Sequence, residues 1–380
     1  MAGVGAVIDA DRFCTQLIAH GFTSATGVPC SYLAGPIEWL SREERYVPAA
    51  NEGTALAIAA GAALAGSRTA VFAQNSGLGN LINPLASLQM TYDIATLVFV
   101  SLRGWPDPSQ DEPQHALMGQ VTGRLLDALG AARWLLTAEA NDLDGILDEA
   151  EGELAHGRPA FVLVEKGAIG GVVKGENGDL PVCETRAGVL RAIQPDLREL
   201  PIISTTGYTS RELFSMRDAD NHFYMQGSMG HAVAIGLGLS RTLSDAQPVV
   251  VLDGDGAALM HLGTMSTIGS TAPANLVHIL FDNGSYESTG SQATSSSTTD
   301  FVQIGLACGY RTARECSEVP DVRSALRMML ATPGPHLLVV RVASSHGTAP
   351  PRATSAMSAP EIHRRFRTWV SSRAEEPCPR

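Results

Sequence analysis

The sequence predicts an α/β protein built from two doubly wound domains with parallel sheets. Short apolar runs rich in β-branched residues alternate with longer helical patterns in both halves of the 380-residue chain. These runs lack alternating polar residues, as expected of strands that are covered on both faces. A glycine-rich stretch that ends in Pro181 separates the two halves, and this composition is typical of a linker.

The apolar runs define the predicted elements. Strands are predicted at 69–72, 94–102 and 160–164 in the first half, and at 201–204, 248–252, 276–281 and 336–342 in the second. We therefore place one domain at residues 1–166, a linker at 167–184 and a second domain at 185–380.

Composition excludes several classes of function. The chain has a formal net charge of −12, and its only basic cluster, residues 364–367, is expected to be a solvated helix face. Binding to nucleic acid or to an anionic membrane is therefore not expected. The N-terminus lacks the features of a signal peptide, and the apolar stretch 94–100 is too short to span a membrane. The six cysteines include no Cys-x-x-Cys pair, which fits a cytoplasmic protein.

The strongest local signal is a pair of strand ends in the second half. A strand leads into Gly254-Asp255-Gly256, where glycines allow a phosphate to approach the backbone at the start of a helix. The next strand ends before Asn283 and Ser285. Asp255, the Asn283 side-chain oxygen and a backbone carbonyl near Ser285 are oxygen ligands of the kind that Mg²⁺ prefers. The alternative is that both are ordinary turns, in which Asp, Asn and Gly are common.

This pair of turns resembles the signature of the thiamine diphosphate decarboxylase superfamily, which implies thiamine diphosphate and Mg²⁺ as cofactors. Glu52, at the start of an alanine-rich helix, matches the glutamate that hydrogen-bonds the aminopyrimidine ring in that superfamily. A buried carboxylate there favours the imino tautomer, which then removes the thiazolium C2 proton. Without the resemblance, charge–dipole stabilisation of the helix would explain Glu52 equally well.

The same resemblance implies further residues that contact the cofactor. Met229 matches the bulky apolar residue that supports the bent cofactor, although a methionine in such a turn is otherwise core filler. The remaining residues expected to contact the cofactor are Gly227, Ser228, Thr206, Gly207 and Tyr286. The segment 286–299 is rich in Ser, Thr and Gly, and is either a mobile lid or a simple loop.

Four motifs narrow the resemblance to the phosphonopyruvate decarboxylase family and its sulfopyruvate decarboxylase relatives. They lie at 74–85, 111–115, 206–213 and 224–232, and the resemblance covers residues 10 to 345. It implies decarboxylation of phosphonopyruvate to phosphonoacetaldehyde in phosphonate and antibiotic biosynthesis. It also implies a pyrimidine-binding domain followed by a diphosphate-binding domain, with no middle domain. The resemblance further implies a homodimer or a higher homo-oligomer, with active sites between chains.

Candidate residues on the substrate side also follow from the resemblance. Gln114 and His115 match the segment that places polar side chains over the thiazolium, and His115 is a candidate proton donor. Candidates for contact with the anionic substrate are Ser31, Arg103, His231 and Arg352. The sequence departs from the family in having Cys30 where many relatives have an acidic residue, and in leaving only His346 and Arg352 as basic residues in the segment 343–352.

Three alternatives remain open at this stage. Sulfopyruvate is the competing substrate. The partial glycine motif that contains Gly77 and Gly79 leaves open a nicotinamide-dependent oxidoreductase, although its third glycine is absent. The third alternative is a subunit that binds the cofactor without catalysing a reaction, against which Glu52, Asp255 and Asn283 argue.

Overall fold

The computed structural model describes residues 7–170, 184–344 and 349–374. The chain divides into two compact units, Met1–Glu176 and Asn177–Arg380, called unit 1 and unit 2 below. Residues 171–183, which make up most of the predicted linker, lie outside the described residues, as does His346. The predicted domain limits therefore stay a prediction.

Unit 1 is built on a parallel six-stranded sheet with the strand order β2-β1-β3-β4-β6-β5. Its strands are β1 Phe22–Gly27, β2 Tyr46–Pro48, β3 Arg68–Gln74, β4 Leu97–Ser101, β5 Ala132–Leu136 and β6 Ala160–Val164. Its helices are α1 Ala10–Ala19, α2 Ala34–Arg42, α3 Glu52–Leu64, α4 Leu78–Pro84, α5 Ala116–Ala128 and α6 Leu143–Leu154.

Both faces of this sheet are covered by apolar side chains. Because successive side chains of a strand point to opposite faces, Phe72 and Phe99 pack in one core with α1, α2 and α6. Val71 and Val98 pack in the other core with α3, α4 and α5. Strands buried on both sides need no polar alternation, which is why β3, β4 and β6 are continuous apolar runs.

Unit 2 is built on a second parallel six-stranded sheet, with the order β13-β14-β10-β9-β7-β8, and a short antiparallel pair, β11-β12. Its strands are β7 Ile202–Ser204, β8 His222–Tyr224, β9 Val249–Gly254, β10 Leu276–Asp282, β11 Ser285–Tyr286, β12 Gln292–Ala293, β13 Thr312–Cys316 and β14 His336–Arg341. Its helices are α7 Arg186–Leu197, α8 Tyr208–Met216, α9 Ala232–Ser240, α10 Asp255–Met260, α11 Thr264–Thr271, α12 Phe301–Cys308, α13 Val319–Ala331 and α14 Ala359–Ala374.

The second sheet is covered in the same way. Val250 and Leu252 pack with α7, α8 and α13, whereas Val249 and Val251 pack with α9, α11 and α12. The predicted fold class, two doubly wound α/β domains with parallel sheets, is thus confirmed.

Neighbouring strand ends position the polar residues of both units. In unit 2, Phe281 of β10 pairs in register with Gly254 of β9, so the turns that follow them start at the same edge of the sheet. In unit 1, Gln74 of β3 pairs with Ser101 of β4, and two further polar segments start there. Ligands of open parallel sheets bind outside such carboxyl ends.

Each of the seven predicted strands overlaps a strand of the structure, but the strands predicted from sequence did not include β1, β2, β5, β8 and β13 or the β11-β12 pair. None of the described helices combines the length and the apolar character needed to span a bilayer.

Candidate active site

Glu52 is the first residue of α3, and its side chain is 5% exposed. The helix is capped by Asn51, whose side-chain oxygen accepts a hydrogen bond of 3.0 Å from the backbone N–H of Thr54, as is typical of an N-cap. The Asn80 amide donates a hydrogen bond of 2.7 Å to Oε2 of Glu52. The carboxylate is therefore buried and held by a neutral donor.

The glycine-rich loop after β3 packs against the Glu52 carboxylate. A Cβ atom at Gly77 would lie 1.9 Å from Oε1 of Glu52, so only glycine leaves space for the side chain. Asn75 fixes the start of the loop, because its side chain donates to the carbonyl of Arg103 at 2.8 Å and accepts from the N–H of Arg103 at 3.2 Å. The partial glycine motif considered for a nicotinamide site thus contacts Glu52.

Arg103 forms a cluster with two acidic residues. Its guanidinium donates to Asp111 at 2.7 and 2.5 Å and to Glu112 at 3.1 Å. Burial alone would lower the pKa of Arg103, but the hydrogen bonds and charge of Asp111 raise it, and Arg103 in turn holds the pKa of Asp111 below its usual range. The predicted cation is therefore already paired with two carboxylates.

Gln114 and His115 lie in the same cluster, on a short 3₁₀ helix, Pro113–His115. The Gln114 amide donates to Glu112 at 2.5 Å. His115 is 7% exposed, and one of its ring nitrogens lies within 4.8 Å of carboxylate oxygens of Asp111 and Glu112. The predicted Gln114 and His115 are thus brought together with Arg103.

In unit 2, Asp255 is the first residue of α10 and is 3% exposed. The hydroxyl of Thr294 donates a hydrogen bond of 2.5 Å to Oδ2 of Asp255, and the Thr294 N–H donates to the carbonyl of Gly284 at 3.0 Å. Thr294 therefore connects Asp255 with the turn that contains Asn283. Its segment, predicted to be a lid or a loop, contacts the predicted metal ligand.

Burial raises the pKa of Asp255 to about 7, even though the hydrogen bond from Thr294 lowers it, and the nearby charge of Asp282 raises it further. Asp282 is itself held by Arg341, at 2.5 Å. A divalent cation beside Asp255 would relieve this destabilisation of its charged form.

Asn283 is 8% exposed, and its side chain makes two hydrogen bonds. Nδ2 donates to Oε2 of Glu287 at 3.2 Å, and Oδ1 accepts from the Ser285 N–H at 3.1 Å. Ser285 starts the short strand β11. The three predicted metal ligands, Asp255, Asn283 and Ser285, thus belong to two turns that Thr294 joins.

The turn between β8 and α9 carries Gly227, Ser228 and Met229. Ser228 adopts a left-handed backbone, with φ 54°, which is uncommon outside glycine. Met229 is half-buried. The hydroxyl of Thr206 donates to the carbonyl of Gln226 at 3.0 Å, so the two loops predicted to contact the cofactor are adjacent.

The segment that follows the Asn283 turn lies close to Gly207 and to Gly256. A Cβ atom at Gly207 would lie 3.4 Å from the Ser288 hydroxyl, and one at Gly256, beside Asp255, would lie 2.5 Å from the ring of Tyr286. The hydroxyl of Thr205, next to Thr206, is buried and has no hydrogen-bond partner among the described residues. A buried hydroxyl without a partner fits a bound polar group.

The other predicted substrate residues differ in how far they are buried. Ser31 is exposed, and Cys30 is buried in the core, where the Ser101 hydroxyl contacts its sulfur at 3.3 Å. His231 is exposed, and its ring lies 4.3 Å from that of His261 between centroids. Arg352 is half-buried and precedes a 3₁₀ helix, Ala353–Ser355.

Two family models match the chain. Residues 10–122 match the thiamine pyrophosphate enzyme N-terminal TPP binding domain, and residues 205–340 match the thiamine pyrophosphate enzyme C-terminal TPP binding domain. The chain is 39% identical over 387 residues to phosphonopyruvate decarboxylase of Streptomyces viridochromogenes, covering 96% of each protein.

Its identity to phosphonopyruvate decarboxylase of Streptomyces hygroscopicus is 40% over 406 residues, covering 98% of this chain and 96% of the relative. The chain belongs to the thiamine diphosphate-dependent decarboxylase family. Sulfopyruvate decarboxylase of Methanosarcina acetivorans is a more distant relative, 28% identical over 336 residues, with 82% of this chain and 85% of the relative covered.

The family assignment makes the chain a carboxy-lyase with thiamine diphosphate as its cofactor. The donor set of unit 2 fits the diphosphate and its cation, since Asp255 and Asn283 offer buried oxygens and Thr205 a buried hydroxyl.

Sequence reasoning missed several residues of this decarboxylase. Asn80 lies within a quoted motif, but nothing in its spacing points to Glu52, which is 28 positions earlier. Thr294 lies in a segment noted only for its composition. Arg186, Glu212 and Glu287 form a buried charge cluster that no local motif indicates.

Proposed function

We propose that this chain decarboxylates phosphonopyruvate to phosphonoacetaldehyde and CO₂. The observation that carries the proposal is the alignment of both Streptomyces phosphonopyruvate decarboxylases with 96% and 98% of the chain, at 39% and 40% identity. In this reaction the bond between the carboxylate and the keto carbon breaks, CO₂ leaves without the bonding electron pair, and a proton takes its place. Such a product belongs to phosphonate and antibiotic biosynthesis.

Unit 2 holds the diphosphate and a Mg²⁺ ion in this proposal. Asp255, Asn283 and the carbonyl of Ser285 would supply three oxygens to the cation, and a phosphate would approach the backbone near Gly254 at the start of α10. Gly256 leaves space for the ring of Tyr286. Three loops complete the set of residues that contact the cofactor: Thr206-Gly207, Gly227-Ser228-Met229 and Tyr286. The buried hydroxyl of Thr205 supports this assignment.

Glu52 acts on the pyrimidine side. When bound, thiamine diphosphate supplies the carbon nucleophile and the electron sink for loss of CO₂. Glu52 would hydrogen-bond the ring nitrogen of the pyrimidine, and its burial at the start of α3 would keep water away from this hydrogen bond. Asn80 fixes Oε2 by its hydrogen bond of 2.7 Å, which restricts the carboxylate to one orientation.

Gln114 and His115 act on the substrate side. The hydrogen bond from Gln114 to Glu112 and the buried position of His115 orient both side chains. His115 delivers the proton that replaces CO₂, because imidazole exchanges protons near neutral pH. Ser31, Arg103, His231 and Arg352 stay the candidates for contact with the substrate anion.

Sulfopyruvate is the second candidate substrate, and the pairing of Arg103 with two carboxylates favours it. A phosphonate is close to a dianion at neutral pH, whereas a sulfonate is a monoanion, so a sulfonate needs less positive charge. Asp111 and Glu112 already balance the charge of Arg103. The identity of 28% to a sulfopyruvate decarboxylase supports this candidate to a lesser extent than the Streptomyces relatives support phosphonopyruvate.

The test is kcat/KM for phosphonopyruvate, sulfopyruvate and pyruvate, with thiamine diphosphate and Mg²⁺ present. We expect phosphonopyruvate to have the highest value, and Glu52→Ala, the control, to turn over none of the three. A higher value for sulfopyruvate would refute the substrate. Tight cofactor binding without turnover of any 2-oxo acid would instead indicate a catalytically silent subunit.

We also propose a cytoplasmic homo-oligomer with active sites between chains, supported by the family resemblance. A mixture of the inactive Glu52→Ala and Asp255→Ala variants should regain part of the activity, because some sites then combine two intact halves. Mass spectrometry of the mixture establishes whether the two variants exchange subunits. If they do and no activity returns, each active site lies within a single chain.

A further inference from the structure

A buried charge cluster lies beside the predicted metal turn of unit 2. Arg186, the first residue of α7, donates to Glu212 at 2.9 and 3.0 Å and to Glu287 at 2.8 Å. Exposure of Arg186 and Glu212 is 6% and 5%, and that of the Glu287 side chain is 7%. Three buried charges at one place are costly to desolvate unless each is paired.

The cluster reaches Asn283 through Glu287. Oε2 of Glu287 accepts hydrogen bonds from both Nη2 of Arg186, at 2.8 Å, and Nδ2 of Asn283, at 3.2 Å. On its other side Asn283 accepts the Ser285 N–H through Oδ1. The amide of Asn283 is therefore held between one acceptor and one donor.

An ionised carboxylate only accepts hydrogen bonds, so it accepts the NH₂ group of an amide and repels its oxygen. With Glu287 on one side, Oδ1 of Asn283 has to face away from the cluster. An amide oxygen has two lone pairs, and the Ser285 N–H uses one of them. The second lone pair is the one that a cation would use.

Arg186 holds Glu287 in place. Its guanidinium donates to the same Oε2 atom that accepts from Asn283, so this oxygen is an acceptor shared by two donors. Burial alone would lower the pKa of Arg186, but Glu212 and Glu287 raise it, so the guanidinium stays charged. Glu212 anchors it through two hydrogen bonds.

We propose that Glu287, held by Arg186, is a positioning residue that fixes the amide orientation of Asn283 and thereby sets the affinity of the site for its divalent cation. The inference rests on the proposed role of Asn283 as a metal ligand. Residues that orient metal ligands from behind change metal affinity by roughly 10-fold to 100-fold when they are removed.

The experiment measures Mn²⁺ binding by electron paramagnetic resonance of the free ion, with thiamine diphosphate saturating. Glu287→Ala should weaken binding by about 10-fold or more, whereas Glu287→Gln should restore it to within about 3-fold of the original protein, since its amide oxygen still accepts from Asn283. The control is Asp218→Ala, which removes an ion pair with Arg365 in the same unit and should leave binding unchanged.

A second background separates orientation from a structural role. Asn283→Asp has two equivalent oxygens, so no amide orientation is left for Glu287 to fix. Adding Glu287→Ala to Asn283→Asp should therefore change Mn²⁺ binding much less than Glu287→Ala does alone. A merely structural role of Glu287 would weaken binding in both backgrounds.

The inference is overturned if Glu287→Ala binds Mn²⁺ as the original protein does, or if Glu287 substitutions weaken binding equally in both backgrounds. Should Glu287→Ala fail to fold, Glu287→Gln still tests the inference, because a loss of Mn²⁺ binding in this variant would show that the charge of Glu287, and not its hydrogen bond with Asn283, sets the affinity. Failure of the metal assignment itself gives another result: Asn283→Ala and Asp255→Ala would then both bind Mn²⁺ normally.

Discussion

Gly77→Ala tests how closely the loop after β3 controls Glu52. The backbone of Gly77 has φ −87° and ψ −2°, which alanine also adopts, so the substitution adds no backbone strain. Its methyl group would lie 1.9 Å from Oε1, 2.2 Å from Cδ and 2.7 Å from Cγ of Glu52. Ordinary contacts at such a site begin near 3.4 Å, so the carboxylate must move by more than about 1 Å.

That displacement also breaks the hydrogen bond from Asn80 to Glu52, because Asn80 lies on α4, a helix that begins directly after Gly77. A misplacement of about 1 Å in a catalytic group costs on the order of 100-fold in rate, or about 2.7 kcal/mol in the barrier. We therefore expect Gly77→Ala to reduce turnover and the exchange of the cofactor C2 proton with deuterated solvent by about 100-fold. Binding of thiamine diphosphate should change little, since its diphosphate contacts lie in unit 2.

The matched control is Gly79→Ala, two residues further along the chain in the first turn of α4. A Cβ atom at Gly79 meets no atom within 4 Å, so this variant should exchange the C2 proton at the original rate. The assay is proton NMR of cofactor released after rapid acid quench of the exchange. Equal exchange rates for the two variants would refute the catalytic role of Glu52 and the inference that Gly77 leaves the space for its carboxylate.

Further predictions concern Glu52 and the metal turn. Glu52→Ala should bind thiamine diphosphate, measured by calorimetry, but lose C2 proton exchange, and an exchange rate equal to the original would remove Glu52 from its role. Asp255→Ala should lose tight cofactor binding as chelation does, and full activity in excess EDTA would end the metal assignment. Below pH 7 the Asp255 carboxyl binds a proton that Mg²⁺ must displace. Mg²⁺ affinity should therefore fall about 10-fold for each pH unit below 7 and stay constant above pH 7. A Mg²⁺ affinity that does not change with pH would contradict this expectation. Thr294→Val removes the hydrogen bond that lowers the pKa of Asp255, so the fall should begin at higher pH in the same titration.

Sequence predicted the fold well in the middle of each sheet and poorly elsewhere. β9 and β10 are buried along their length and are therefore continuous apolar runs. The edge strands β5 and β13 are partly exposed and carry Arg or Glu, which conceals them among helical patterns. β1 lies inside its sheet but consists mainly of small and polar residues, so it lacks the apolar run by which the other central strands were found. Its last residue has to be glycine, because a Cβ at Gly27 would lie 2.0 Å from the backbone oxygen of Phe72.

In the candidate site, too, the sequence indicated residues that directly follow strands but not contacts between residues that are far apart in the chain. Asp255 and Asn283 follow directly after strands, so the sequence itself places them at one edge of the sheet. Asn80 contacts a residue 28 positions away, Thr294 one 39 positions away and Arg186 one 101 positions away. Such separations are set by how strands and helices pack, and no periodicity of the sequence records them.

Arg103 shows why a residue type alone does not define a binding role. From sequence it is a cation at the end of a strand, and such a residue suggests an anionic substrate. In the structure it donates to both Asp111 and Glu112, so its positive charge is already paired with carboxylates within unit 1. His115, which has a ring nitrogen within 4.8 Å of both carboxylates, is the other basic side chain of this cluster. We therefore propose His115, rather than Arg103, as the residue of this cluster to substitute when kcat/KM for phosphonopyruvate is compared with kcat/KM for sulfopyruvate.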